Sequence, residues 1–83
     1  MNPSISNARQ LGAAIRARRK EARLTATQAA AFARVSRRLL TEVEGGKRQN
    51  VGFSALIRIL DVLGLDLEVR VRTLPGTRVA DGR

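Results

Sequence analysis

The chain has 83 residues and a formal net charge of +9, with sixteen Lys and Arg against seven Asp and Glu, and it contains neither histidine nor cysteine. That length suits one small domain, and an excess of positive charge calls for an anionic partner, for which duplex nucleic acid is the first candidate. The missing residue types exclude a disulfide framework, thiolate metal sites and most nucleophilic or acid-base chemistry, so no enzyme, cofactor or metal is expected.

Phe32 and Phe53 are the only aromatic residues, both at core-like positions. A protein that stacks single-stranded bases on aromatic rings is therefore not expected. No apolar run is long enough to span a bilayer and no basic-then-apolar leader is seen, so the expectation is a cytoplasmic protein with no membrane role.

Residues 1–6, MNPSIS, read as a flexible N-terminal arm. A first helix is predicted from Ala8 to about Ala22, capped by Ser6 or Asn7. Its inward stripe is Leu11, Ala14, Ile15 and Ala22, and Gly12 permits close packing. The opposite face carries Arg9, Arg16, Arg18, Lys20 and Arg23, a run that is often only a solvated helix face.

Thr25 and Gln28 have the spacing of a capping box, opening a helix of about two turns whose small-residue face is Ala29, Ala30 and Ala33, with Phe32. Val35 plugs the connection and Ser36 caps the next helix, whose inward positions are Leu39, Leu40 and Val43. Arg37, Arg38, Thr41 and Glu42 fall on its outer side. A short helix with a basic exposed start, held out by a rigid partner helix, suits insertion into a DNA major groove.

After Gly46 and Lys47 the segment 48–52, RQNVG, is a loop. A fourth helix begins at Gly52 or Ser54 and reaches Leu63, with Phe53, Leu56, Ile57, Leu60 and Leu63 on its apolar side and Gly64 ending it. The period then changes from helical to alternating. Leu65, Leu67, Val69 and Val71 alternate with Asp66, Glu68, Arg70 and Arg72, the two-residue repeat of a strand with one buried face. One strand makes no sheet, so the simplest partner is the same strand of a second copy, paired antiparallel about a two-fold axis. Pro75 and Gly76 end the strand, and 73–83 is expected to be a flexible tail.

Leu24-Thr25, Ala29-Ala30, Val35-Ser36, Glu44 followed by Gly46-Lys47, and the closing segment Leu60 to Gly64 together resemble the helix-turn-helix domain of Cro/C1-type (XRE) phage repressors. The strand placed directly after that glycine makes the chain similar also to HipB-like antitoxins, small dimeric repressors encoded beside a kinase-like toxin. The resemblance implies a mainly α, lambda-repressor-like bundle of four to five helices over 7–64, with one C-terminal strand at 65–72 forming an intersubunit antiparallel ribbon. It also implies a structural ion pair between Arg19 and Glu44, and DNA-facing positions at Arg37, Arg38, Thr41 and Glu42.

Arginine can bind guanine O6 and N7 with two hydrogen bonds. The carboxylate of Glu42 can accept from a cytosine amino group or orient a neighbouring arginine, and the orienting role is preferred because its charge also faces phosphates. The expected base contacts are Ser36, Arg37, Arg38, Thr41 and Glu42, and the expected phosphate contacts are Thr27, Gln28, Lys47, Arg48 and Asn50.

The chain departs from the family pattern at three places. Ala26 stands where a phosphate-touching glutamine is usual, and Thr27 or Gln28 would have to replace that contact. Arg34 stands where the turn usually has a glycine, which calls for a left-handed backbone, and Arg23 replaces a helix-ending glycine.

The leading expectation is a homodimeric, sequence-specific repressor of an inverted-repeat operator, acting as the antitoxin of a HipBA-like operon with a HipA-like kinase toxin as its protein partner. The alternatives are an interaction module that holds a protein partner with weak or no specific DNA binding, favoured by Ala26 and Arg34, and a phage-type repressor with no toxin.

Overall fold

Three of the four helices begin at a side chain that satisfies a first-turn backbone donor. In the computed structural model, which describes residues 4–48 and 50–71, α1 spans Ala8–Glu21, α2 Ala26–Ala33, α3 Arg37–Glu44 and α4 Phe53–Val62. Asn7 caps α1 by accepting from the Gln10 amide at 2.8 Å, and the Gln10 side chain accepts from the Ser6 amide in return. Thr25 and Gln28 form the full capping box of α2, with bonds of 2.9 and 3.0 Å. Ser36 accepts from the Leu39 amide at 2.9 Å. Gly52 precedes α4 without a side-chain cap.

All four helices end in the same way. A left-handed residue closes each helix, at Arg23, Arg34, Gly46 and Gly64. The next amide then bonds back to the carbonyl five residues earlier: Leu24 to Arg19, Val35 to Ala30, Lys47 to Glu42 and Leu65 to Leu60. This closure satisfies carbonyls that helix ends leave unpaired. Two of the four positions carry arginine, with φ of 60° at Arg23 and 58° at Arg34, which costs backbone energy that glycine avoids. Arg58 of α4 reinforces the turn after α2 by donating to the Ala33 carbonyl at 2.8 Å and the Arg34 carbonyl at 3.4 Å. Arg18 donates from α1 to the Leu63 carbonyl at 2.8 Å.

The core is Ile15 from α1, Ala29, Ala30 and Ala33 from α2, Leu40 and Val43 from α3, and Ile59, Leu60 and Leu63 from the end of the chain's fourth helix. α3 packs on α1 and α2, and α2 also packs on α4. Gly12 lets α1 reach α3. A methyl group there would collide with the Val43 carbonyl oxygen and lie 2.6 Å from that of Glu44.

Several expectations are corrected. Phe32 and Phe53 are exposed, at 65% and 69%, and belong to no core. The inward direction of α2 is set by Ala29, Ala30 and Ala33, and Phe32 projects about 100° away from it at 3.6 residues per turn. Phe53 is the first residue of α4 and lies a full turn and more before the buried Ile59 and Leu60. Ala22 is exposed, and Leu39 and Leu56 are only half-buried against the core.

The expected strand at 65–72 is not formed: among the described residues there is no strand, and 65–71 carry no regular secondary structure. The physical reason is that ladder hydrogen bonds need a second strand, and the described residues offer none. Leu65 packs against the core, whereas Leu67, Val69 and Val71 are exposed. The intersubunit ribbon is likewise not seen in this single chain. Arg72, the tail 73–83 and the first three residues of the arm lie outside the described residues.

Candidate nucleic-acid interface

α3 presents Arg37, Arg38 and Thr41 on an exposed polar side, and its position is fixed from α1. Arg19 Nε donates to Glu44 Oε2 at 2.6 Å and Arg19 Nη2 to Oε1 at 3.0 Å. The remaining Arg19 nitrogen donates to the Leu24 carbonyl at 2.8 Å. With side chains only 12% and 6% exposed, the pair ties the last turn of α3 to α1 in a largely dry environment. Its hydrogen bond to Glu44 raises the Arg19 pKa above the ordinary value and outweighs burial, which acts in the opposite direction.

On the outer side of α3 the charges are organised around Glu42. Arg48, from the loop after the helix, donates to Glu42 Oε1 at 2.9 Å, and Arg38 Nε donates to Oε2 at 3.1 Å. Both carboxylate oxygens are therefore engaged by arginine. This holds the Glu42 carboxyl below the usual glutamate range, chiefly through Arg48 and then Arg38. The Arg38 side chain is 86% exposed, so its outer guanidinium nitrogens face solvent while its Nε is held. Such a geometry is what an orienting carboxylate produces.

The other expected contact residues fall into two groups. Ser36, Arg37, Arg38 and Thr41 are exposed on α3, but the Ser36 oxygen is occupied by its cap and the Thr41 hydroxyl donates to the Arg38 carbonyl at 3.0 Å. Lys47, Arg48 and Asn50 line, with Glu42, an open cleft of about 450 Å³ beyond the end of α3. Arg48 also donates to the Asn50 carbonyl at 3.3 Å. Thr27 is exposed at the start of α2. The Gln28 carbonyl oxygen is taken by the capping box, which leaves only its amino group to donate to an anion.

Sequence reasoning missed three arginines. Arg16 lines a second cleft, of about 420 Å³, between α1 and α3. Its place three residues before Arg19, on the same side of a helix, was a signal that could have found it. Arg18 and Arg58 spend their donors on backbone carbonyls 45 and 25 residues away, partners that no local spacing reveals.

A short helix held out by its neighbours, with paired and unpaired arginines along its open side, defines the class of DNA-binding transcription regulators built on a helix-turn-helix. The helix-turn-helix domain family matches residues 10–74, and the chain belongs to that family. Among solved structures it is similar to the clp gene regulator ClgR from C. glutamicum, at 30% identity over 81% of this chain and 85% of that one, with a TM-score of 0.68. No curated protein matches the sequence significantly.

Proposed function

We propose that this chain is a sequence-specific repressor that binds an inverted-repeat operator as a homodimer, with α3 of each copy in successive major grooves about 34 Å apart. The observation that carries the reading is the Arg38–Glu42–Arg48 arrangement, in which an exposed arginine at the start of α3 is already oriented before any partner arrives. Pre-orientation lowers the ordering cost of a two-bond contact to guanine, so Arg38 is the principal base reader. Ser36 and Thr41 add weaker contacts, and Lys47, Asn50 and Thr27 meet phosphates. The similarity to ClgR, a gene regulator, supports the regulatory part of the reading.

Dimerisation is assigned to the alternating segment from Leu65 to Val71, whose exposed Leu67, Val69 and Val71 find no second strand among the described residues. The antitoxin role, with a HipA-like kinase toxin as partner, rests on the resemblance to HipB-like antitoxins and on this same segment. A kinase-like reading frame beside the gene, and recovery of its product with this protein, would test that part separately.

Footprinting on the DNA upstream of the gene tests the operator reading. The expected result is protection of an inverted repeat with affinity that falls steeply with salt. Salt-dependent binding without any preferred sequence would instead favour the interaction-module reading.

A further inference from the structure

We propose that the cleft between α1 and the α1-facing side of α3, flanked by Arg16 and Arg37, binds a phosphodiester of the DNA backbone, and that Arg37 thereby positions the protein rather than reading a base. The proposal rests on the DNA-binding reading above.

The cleft of about 420 Å³ is bounded by Arg16 of α1, Ala26 at the start of α2, and Arg37 and Thr41 of α3, with Arg19 and Glu44 beneath. Its charge follows from who is paired with whom. Arg19 and Glu44 neutralise each other through two hydrogen bonds. Among the described residues neither Arg16 nor Arg37 has a hydrogen-bonding or ion-pair partner, so the cleft carries two uncompensated guanidinium charges. Two forked donors across an open, polar cleft match an anion with several acceptor oxygens. A methyl group at Ala26 contributes no competing acceptor.

The geometry of α3 separates Arg37 from its neighbour. Adjacent helix positions point about 100° apart, whereas positions four apart share a side. Arg37, Thr41 and Gly45 therefore form the lane beside α1 that lines this cleft. Arg38 and Glu42 form the next lane outward, where Glu42 holds Arg38. One lane borders a neighbouring helix and ends in an arginine pair, and the other borders only the loop at Arg48. If the outer lane enters the groove, the inner lane meets the edge of the groove, where the sugar-phosphate strand runs. The shared chemistry is that of a phosphate anion, and the DNA backbone is favoured over a free ion because the cleft is open along the helix that carries Arg38.

The test uses the full chain and duplexes with and without the operator, titrated across a range of salt concentrations. Arg16→Gln and Arg37→Gln should each weaken binding to both duplexes by a similar factor, on the order of tenfold at moderate salt, and reduce the salt slope by about 0.9. Arg38→Gln should instead lower the ratio between operator and other DNA. Neutral methylphosphonate groups placed one at a time in the operator should identify a phosphate whose neutralisation weakens the wild type more than it weakens Arg16→Gln or Arg37→Gln.

Unchanged affinity and slope in Arg16→Gln, with wild-type binding intact, would overturn the site alone. So would a loss of preference at one base pair in Arg37→Gln with the slope preserved. Absence of any duplex binding by the wild type would overturn the DNA reading and this site together. Amide shifts around Arg16 and Arg37 on adding inorganic phosphate, without any methylphosphonate effect, would make the cleft an ion site and overturn the backbone assignment. Both positions are exposed, and matching thermal melts check that the variants fold.

Discussion

Arg19 and Glu44 lie 25 residues apart in the chain and meet through two parallel hydrogen bonds, the shorter 2.6 Å. Because both side chains are largely buried, removing one leaves the other charged and without its partner. Arg19→Ala or Glu44→Ala is expected to lose about 3 to 5 kcal/mol, and the double variant less than the two losses added. A denaturant cycle reads the coupling, and simple additivity would contradict a direct interaction. The raised Arg19 pKa keeps this contribution fully present below the unfolded arginine value, and it would be lost only as the pH rises through the folded one. Arg19 should therefore stay charged through neutrality.

Gly12 is where α1 crosses α3, and the atoms that a methyl group would meet are backbone carbonyls, which cannot swing aside. Gly12→Ala should gain helix propensity of about 1 kcal/mol and lose more than that by forcing the helices apart, for a net destabilisation of about 1 to 3 kcal/mol. Since the same contact positions the Arg19–Glu44 pair, operator binding should weaken as well. A melting temperature equal to or above that of the wild type would show that α1 can shift at little cost.

Glu42 makes a different kind of prediction. Its folded-state pKa is depressed by Arg48 and Arg38, so any stability it contributes is present above the unfolded glutamate value and lost as the pH falls through the lower folded one. The chain has no histidine, and operator affinity should be nearly flat between about pH 5.5 and 8. In Glu42→Gln one of the two arginine-bound oxygens becomes an amino donor, so the present pairing with both arginines is not kept. Binding to non-operator DNA should rise because a negative charge is removed, while base preference relaxes because Arg38 is freed. Unchanged specificity in that variant would show that the carboxylate does not orient the reader.

The helix boundaries were legible to within a residue or so because local signals set them: Asn7, the Thr25–Gln28 box, Ser36, and the left-handed closures at Gly46 and Gly64. What was not legible depended on tertiary direction. The Phe32 ring looked like core because it is large and apolar, but the inward side of α2 is made of alanines that leave no room for it. Arg18 looked like surface charge and Arg58 drew no reading, yet their long stems carry the guanidinium groups to carbonyls of other segments. In the site, the outer residues of α3 were readable from period alone. The division of Arg37 and Arg38 between two lanes emerged only when α1 and the loop at Arg48 were in place. The alternation at 65–71 is a pattern for which the described residues offer no second strand.

The two left-handed arginines offer a stability test. Glycine relieves about 1 to 2 kcal/mol of steric cost at such a position and returns about 0.5 to 1 kcal/mol to unfolded-chain entropy. Arg34→Gly and Arg23→Gly should each stabilise by up to about 1 kcal/mol, since the Arg58 bonds at the first site go to backbone carbonyls that remain. Gly46→Ala should do the opposite: the position has φ of 71°, and an added methyl would sit 2.8 Å from the Arg9 Cα. Paired thermal melts compare the three.

The segment after α4 sets the limit of where the chain can be cut to test the proposed dimer. Leu65 belongs to the helical domain, because its amide closes the end of α4 at 2.9 Å and its side chain packs on the core. Leu67, Val69 and Val71 contribute nothing to that core, and Val69 is 92% exposed. Truncation after Asp66 should therefore leave a folded domain with nearly the full-length melting behaviour at low concentration, while removing the apolar face assigned to the intersubunit ribbon. Sedimentation at micromolar concentration should change from dimer to monomer. Operator affinity should fall steeply, because one half-site per molecule halves the phosphate contacts and the linkage between binding and association is lost. A truncated chain that still sediments as a dimer would move the interface to the helical surface, with exposed Phe32 and Phe53 the first positions to substitute.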